Sequence, residues 1–271
     1  MNMQVKNTVG ILLLMLLLGT AGTDSALAAK VRKDVHKSFP LAMGGEVSIE
    51  NVNGDVEVSG WDKDSVDMDI EITVKHDSQK RAEEFMEKIE LIFEVNANYI
   101  DVEVDYPGRN SGGLLSWLFG FGEPTVDVQF LVKVPKRSNL DLRTVNGQIA
   151  VDGTHGEIDC KTTNGGIDIS NVQGKVSSNT VNGGISVELE DVQQFDEMNF
   201  HTVNGGIHLA LPKDIKATLE ASTVNGGIDS ELPMEIDGRI SHSKLNGKIN
   251  GGGGLLVLKT VNGGITLSRS R

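Results

Sequence analysis

The dipeptide Asn-Gly recurs at Asn53, Asn146, Asn164, Asn182, Asn204, Asn225, Asn246 and Asn262. From Asn146 onward the spacings are 18, 18, 22, 21, 21 and 16 residues, and 93 residues separate Asn53 from Asn146. A fixed motif at a period near 20 residues marks a stacked repeat, in which each unit is too small to bury its own apolar face. The long gap marks an insertion after the first unit.

Aligning the units on the Asn exposes columns. Three residues after it stand Val56, Ile149, Ile167, Ile185, Ile207, Ile228, Ile249 and Ile265. One before it stand Val52, Val145, Thr163, Val181, Val203, Val224, Leu245 and Val261. Two before it, Thr144, Thr162, Thr180, Thr202, Thr223 and Thr260 recur. Six before it stand Val47, Leu140, Ile158, Val176, Met198, Leu219, Ile240 and Leu256. The β-branched content and two-residue alternation indicate short strands. The glycines after the Asn are expected to break them with turns at positive φ.

Two folds could use this pattern. In a hairpin meander each Asn-Gly closes a two-residue loop, and nothing requires identical columns. In a solenoid each unit is one coil, and equivalent residues stack about 4.8 Å apart. Column identity favours the solenoid, with Ile as an inner ladder and Asn as an amide ladder at the corner. If that amide is buried, Asn204→Ala should cost about 1–3 kcal/mol. The fold class expected is all-β dominated: a parallel β-solenoid of about eight short coils with a small α+β insertion after the first. The 246 unit, with Lys244, Leu245 and Lys248 and then Gly251 to Gly254, is expected to be its loosest section.

The boundaries expected are a signal peptide over 1–28, an N-terminal strand and first coil over 29–60, the insertion over 61–135 and solenoid repeats over 136–271. Lys6 gives the first segment a positive start, Val9 to Leu18 an apolar core and Ala26-Leu27-Ala28 a cleavage pattern. That core is about ten residues, half of a membrane span. Cleavage would leave an exported protein, periplasmic or at the cell surface, with no transmembrane anchor. In the insertion, Val66 to Val74 alternate as a strand, and Asp77 or Ser78 would cap a helix with Ala82, Phe85, Met86 and Ile89 on one face. Strands are expected at 91–95, 99–106 and 126–134. An apolar loop separates the last two, between Pro107 and Pro124. Its Leu114, Leu115, Trp117, Leu118, Phe119 and Phe121 would either fold onto the core or form an exposed loop that contacts a partner or touches a membrane.

The formal net charge is −13, which argues against nucleic acid as a partner. Cys160 is the single cysteine, so no internal disulfide framework exists. It falls in a column four before the Asn, with Leu142, Ser178, Phe200, Ala221, His242 and Leu258, and reads as a core residue.

Catalysis would need acids or ligands meeting in a groove. The outward column four after the Asn reads Ala150, Asp168, Ser186, His208, Asp229, Asn250 and Thr266, with no carboxylates on sequence-adjacent coils. His201 and His208 flank one motif and could share a metal, but two separate solvated imidazoles are the simpler reading. No catalytic residue, metal or cofactor is expected.

The chain resembles the bacterial "putative adhesin" β-strand-repeat family of unknown function. The resemblance rests on Gly45 to Gly54, on Val58-Ser59-Gly60-Trp61-Asp62, on Val132 to Lys136 and on the Thr-Val-Asn-Gly-Gly-Ile repeats. It implies a cell-envelope β-solenoid and brings no catalytic or binding residues. The function expected is a non-enzymatic adhesin-like or protein-interaction scaffold, with an envelope protein or cell-surface component as partner. The alternatives are a polysaccharide-active β-helix enzyme and a component of an envelope-stress sensing pathway.

Overall fold

The computed structural model describes residues 29–107, 124–192, 194–237 and 241–270. The expected signal peptide lies outside the described residues. So do Ile240 and the apolar loop with Leu114, Leu115, Trp117, Leu118, Phe119 and Phe121.

The first part of the chain forms β1 (Ala29–Pro40), β2 (Glu46–Glu50), β3 (Val56–Trp61), β4 (Ser65–His76), α1 (Gln79–Met86), β5 (Glu90–Asn96), β6 (Tyr99–Asp105) and β7 (Thr125–Pro135). The repeats form β8 (Asn139–Arg143), β9 (Ile149–Asp152), β10 (Ile158–Lys161), β11 (Ile167–Gln173), β12 (Val176–Asn179), β13 (Ile185–Asp191), β14 (Glu197–His201) and β15 (Ile207–Leu211). There follow β16 (Ala217–Ser222), β17 (Ile228–Ser230), β18 (Met234–Ile236), β19 (Lys244–Ile249), β20 (Gly254–Lys259) and β21 (Ile265–Arg269).

These strands make two sheets, and the pairing is mostly parallel. One has ten strands in the order β1-β4-β7-β3-β9-β11-β13-β15-β21-β17. The other has eleven, in the order β18-β19-β16-β20-β14-β12-β10-β8-β2-β6-β5. Each repeat gives one strand to the second sheet, turns at its Asn-Gly and gives the next strand to the first. No hairpin closes at these corners: Ile167 pairs in parallel with Ile149 on one side and Ile185 on the other. Alternate residues point inward. The core is one cluster in which Ile149, Leu142, Cys160 and Phe200 are wholly buried.

The strands of the 61–135 segment extend both sheets. β6 pairs in parallel with β2 and β7 with β3, so together they form a coil stacked outside the first. β4 and β1 continue the first sheet antiparallel beyond β7, and β5 continues the second beyond β6. α1 turns Ala82 and Met86 inward. Ser78 is its N-cap but makes no side-chain cap bond. Its N–H goes instead to His76 Nδ1, at 2.8 Å.

The other end is also stacked out of chain order. β20 and β21 insert between the coils of β14/β15 and β16/β17. β19, which holds the Asn246-Gly247 match, is no corner. It runs antiparallel to β16, with Asn246 opposite Glu220 and Ile249 opposite Ala217. Asn246 therefore leaves the corner set, and Ile249 leaves the inner ladder of the first sheet, although it is buried in the second. The chain then crosses from one edge of β16 to the other. Asn250, Gly251 and Gly252 take left-handed φ there, which glycine adopts without steric cost. Asn250 donates its amide to the carbonyls of Lys213 and Ile215 at 3.0 and 2.8 Å. The glycine run is a crossover, and that is why its composition departs from the repeat.

Candidate functional site: the asparagine corner and its groove

Seven of the eight Asn side chains form one ladder. Each amide donates to the next Asn Oδ1: Asn225 to Asn262 at 2.8 Å, Asn262 to Asn204 at 2.7 Å and Asn204 to Asn182 at 2.8 Å. The ladder continues from Asn182 to Asn164 at 2.8 Å, Asn164 to Asn146 at 2.6 Å and Asn146 to Asn53 at 2.6 Å. From Asn164 to Asn225 these residues are exposed.

The Thr column lies underneath and is buried. Each hydroxyl donates to the first-glycine carbonyl of the coil beside it. Thr144 reaches Gly54, Thr162 reaches Gly147 and Thr180 reaches Gly165, at 3.2, 3.0 and 2.9 Å. Thr202 reaches Gly183, Thr260 reaches Gly205 and Thr223 reaches Gly263, at 2.8, 2.8 and 2.9 Å. In the first coil Asn51 stands in the Thr column and donates to Val128 O at 2.7 Å, while Tyr106 Oη donates to its Oδ1 at 3.1 Å. The sequence columns gave no role to these hydroxyls, to Asn51 or to Tyr106. For the hydroxyls and Asn51 the shared position two before the Asn was the only signal, and Tyr106 had none.

The two glycines of the motif have different reasons, and positive φ explains neither along the repeat. Gly54 alone among the first glycines takes it, at 121°. A Cβ on Gly147, Gly165, Gly183, Gly205, Gly263 or Gly226 would overlap the first-glycine carbonyl of the neighbouring coil. Coils stack so closely here that only hydrogen fits. The second glycine is looser: a Cβ on Gly166 or Gly184 would lie 3.5 Å from the nearest carbonyl. Asp55 and Gln148 occupy this second position in the first two Asn-Gly units.

An open groove of about 650 Å³ runs over this second position. Gly166, Gly184, Gly206 and Gly264 form its floor, with Gln148 at one end. Asp168, Ser186, His208 and Thr266 stand along one side. Their register is Asp168 beside Ser186, Ser186 beside His208 and His208 beside Thr266. Next to the ladder, the column one before the Asn is divided: Val181 is 41% exposed and Val224 68%, whereas Val52 is buried in the core.

His201 and His208 are not brought together, since β14 and β15 belong to opposite sheets. Among the described residues no group of three or more His, Cys, Asp or Glu could hold a metal ion. Cys160 is fully buried, and burial, with Asp159 next to it, pushes its thiol well above the ordinary value. Such a thiol is inert as a nucleophile. His36, on the edge strand β1, is held between Asp69 Oδ1 at 2.8 Å and Asp67 Oδ1 at 3.2 Å. The Asp69 hydrogen bond and the two carboxylate charges raise its pKa above 6.5.

No described helix is long and apolar enough to cross a membrane. The family model described as Toastrack DUF4097 matches residues 44–268. No curated protein matches the chain. Similar solved structures include a putative cell adhesion protein from Clostridium sporogenes ATCC 15579, at 15% identity and a TM-score of 0.47, over 88% of this chain and 100% of that one. A putative adhesin from Bacteroides fragilis NCTC 9343 matches at 12% identity and a TM-score of 0.40, over 88% and 97%. A putative lipid binding protein from Parabacteroides distasonis ATCC 8503 matches at 14% and 0.35, over 86% and 96%.

Proposed function

Since the chain belongs to the Toastrack DUF4097 family, we propose that it is an exported, non-enzymatic scaffold of the cell envelope that works by surface contact. The observation that carries this reading is the corner ladder. Its bonded amides run over seven coils and form an exposed edge from Asn164 to Asn225. The Thr hydroxyls and the bare glycine contacts lock the same corner from below. Stacked coils of this kind present a long fixed surface, which suits adhesion or protein–protein contact. The apolar pattern of residues 9–18, ahead of Ala26-Leu27-Ala28, supports export.

The sequence from 112 to 122 is the candidate contact with an envelope partner. Deleting it and repeating a pull-down from envelope extract tests that contact. Loss of partner recovery with an intact fold is the expected result, and unchanged recovery sinks it. Turnover of an envelope glycan, abolished by substituting one carboxylate, would overturn the non-enzymatic reading.

A further inference from the structure

The groove over the second-glycine column carries a row of backbone donors without acceptors. The N–H of Gln148 ends on Asp55 Oδ1 at 2.7 Å, and Asp55 holds the same position one coil earlier. The repeat carries the equivalent N–H groups onward at Gly166, Gly184, Gly206 and Gly264. None of these four makes a hydrogen bond among the described residues. Gly184, Gly206 and Gly264 each follow, in the stack, a glycine that has no side chain to offer. The carbonyls across from Gly184 and Gly206 accept Thr hydroxyls instead: Gly165 O from Thr180 and Gly183 O from Thr202. The donors repeat once per coil, about every 4.8 Å.

We propose that this groove binds a linear glycan bearing N-acetyl groups, whose carbonyl oxygens take the place on these glycines that Asp55 Oδ1 takes on Gln148. The inference rests on the contact-scaffold reading and names its ligand. Pitch selects the ligand. Same-side carbonyls of an extended peptide recur every two residues, roughly 6.8 Å, and fall out of step with the coils. A six-membered sugar unit with bonds of about 1.5 Å advances roughly 5 Å. Where successive units alternate faces, one acetyl group meets every second coil, about 9.6 Å apart. Charge selects the neutral oxygen. Asp168 stands in the groove and the chain carries −13, so a polyanion meets repulsion. The glycine floor admits a sugar ring to backbone distance, and Ser186, His208 and Thr266 offer polar partners to its hydroxyls.

The test is a titration of the full exported chain with the β-1,4-linked hexamer of N-acetylglucosamine, read by amide NMR. The expected result is saturable shifts at Gly166, Gly184, Gly206 and Gly264. The double variant Gly166→Asp with Gly184→Asp copies Asp55, leaves each Cβ at 3.5 Å from the nearest carbonyl and is designed to cap the next two donors. It should weaken binding by about tenfold or more with an unchanged melting temperature. Should it not fold, the wild-type titration decides alone. Unmoved glycine amides, or a folded double variant that binds like wild type, overturn the proposal. Stronger shifts with a uronic acid hexamer overturn the neutral assignment. A silent groove with partner recovery still dependent on residues 112–122 defeats the glycan and leaves the scaffold standing.

Discussion

Asn225 donates its side-chain amide to Asn262, 37 residues later in the chain, at 2.8 Å. Asn262 in turn donates to Asn204, 58 residues earlier, at 2.7 Å. The final repeat therefore sits inside the stack, between two repeats that precede it. Its strands are covered on both sides, and the end of the second sheet is made by β18 and β19, which pair antiparallel with each other while β19 pairs antiparallel with β16. Antiparallel strands finish three of the four sheet ends, and the fourth is the short β17, parallel to β21, so little of the parallel repeat ends on a bare copy of itself.

The two corner ladders should differ in energetic weight. Thr202 is 0% exposed and its hydroxyl satisfies Gly183 O at 2.8 Å. Thr202→Val keeps the shape and strands that carbonyl, at a cost of about 1–3 kcal/mol. Asn204 is exposed, so its alanine variant should cost at most about 1 kcal/mol, less than burial would have required. Urea unfolding of both variants checks the order. An Asn204→Ala cost above that of Thr202→Val contradicts it.

The two glycines should respond in opposite ways to the same substitution. Gly183→Ala drives a methyl into Gly165 O and should cost about 3 kcal/mol or more. Gly184 has φ outside the left-handed region and 3.5 Å of clearance. Gly184→Ala should be neutral or stabilise by about 0.4–1 kcal/mol, through a less free unfolded chain. Melting temperatures of the pair report this directly, and equal losses at both positions would refute the assignment.

The columns of like residues made the parallel stack, the inner Ile ladder and the Asn ladder legible, because stacking is what puts like on like. Stacking order was not legible. A column says that residues share a position and is silent on which coil lies beside which. Asn246 shows the limit: its Asn-Gly matches the motif, yet Lys244 and Lys248 fill the Thr and second-glycine positions, and the segment is an antiparallel strand. Asn-Gly ordinarily favours positive φ, which suggests turn formers, whereas a Cβ on each of the six corner glycines from Gly147 to Gly263, Gly247 apart, meets the neighbouring coil's backbone first. The groove donors were invisible, since a backbone N–H carries no letter in the sequence.

A pH effect should attach to the edge strand. The hydrogen bond to Asp69, with the charges of Asp67 and Asp69, raises the pKa of His36. The stabilisation is fully present below about 6.5, the ordinary His value, and is lost as pH rises through the raised folded value. Because the ring is exposed, the effect is small. His36→Gln should lower the melting temperature slightly at pH 5.5 and leave it unchanged at pH 9. A difference that grows with pH contradicts the sign.

The stacking order is open to direct measurement by engineered disulfides. His208 and Thr266 are register partners on adjacent strands, as are Thr266 and Asp229. Adjacent strands lie about 4.8 Å apart, within reach of a disulfide, whereas His208 and Asp229, two strands apart at about 9.6 Å, exceed the limit of roughly 7 Å. Under mild oxidation, His208→Cys with Thr266→Cys should form an intramolecular bond, and His208→Cys with Asp229→Cys should not. The opposite outcome would mean that the coils stack in chain order and would contradict the inserted final repeat.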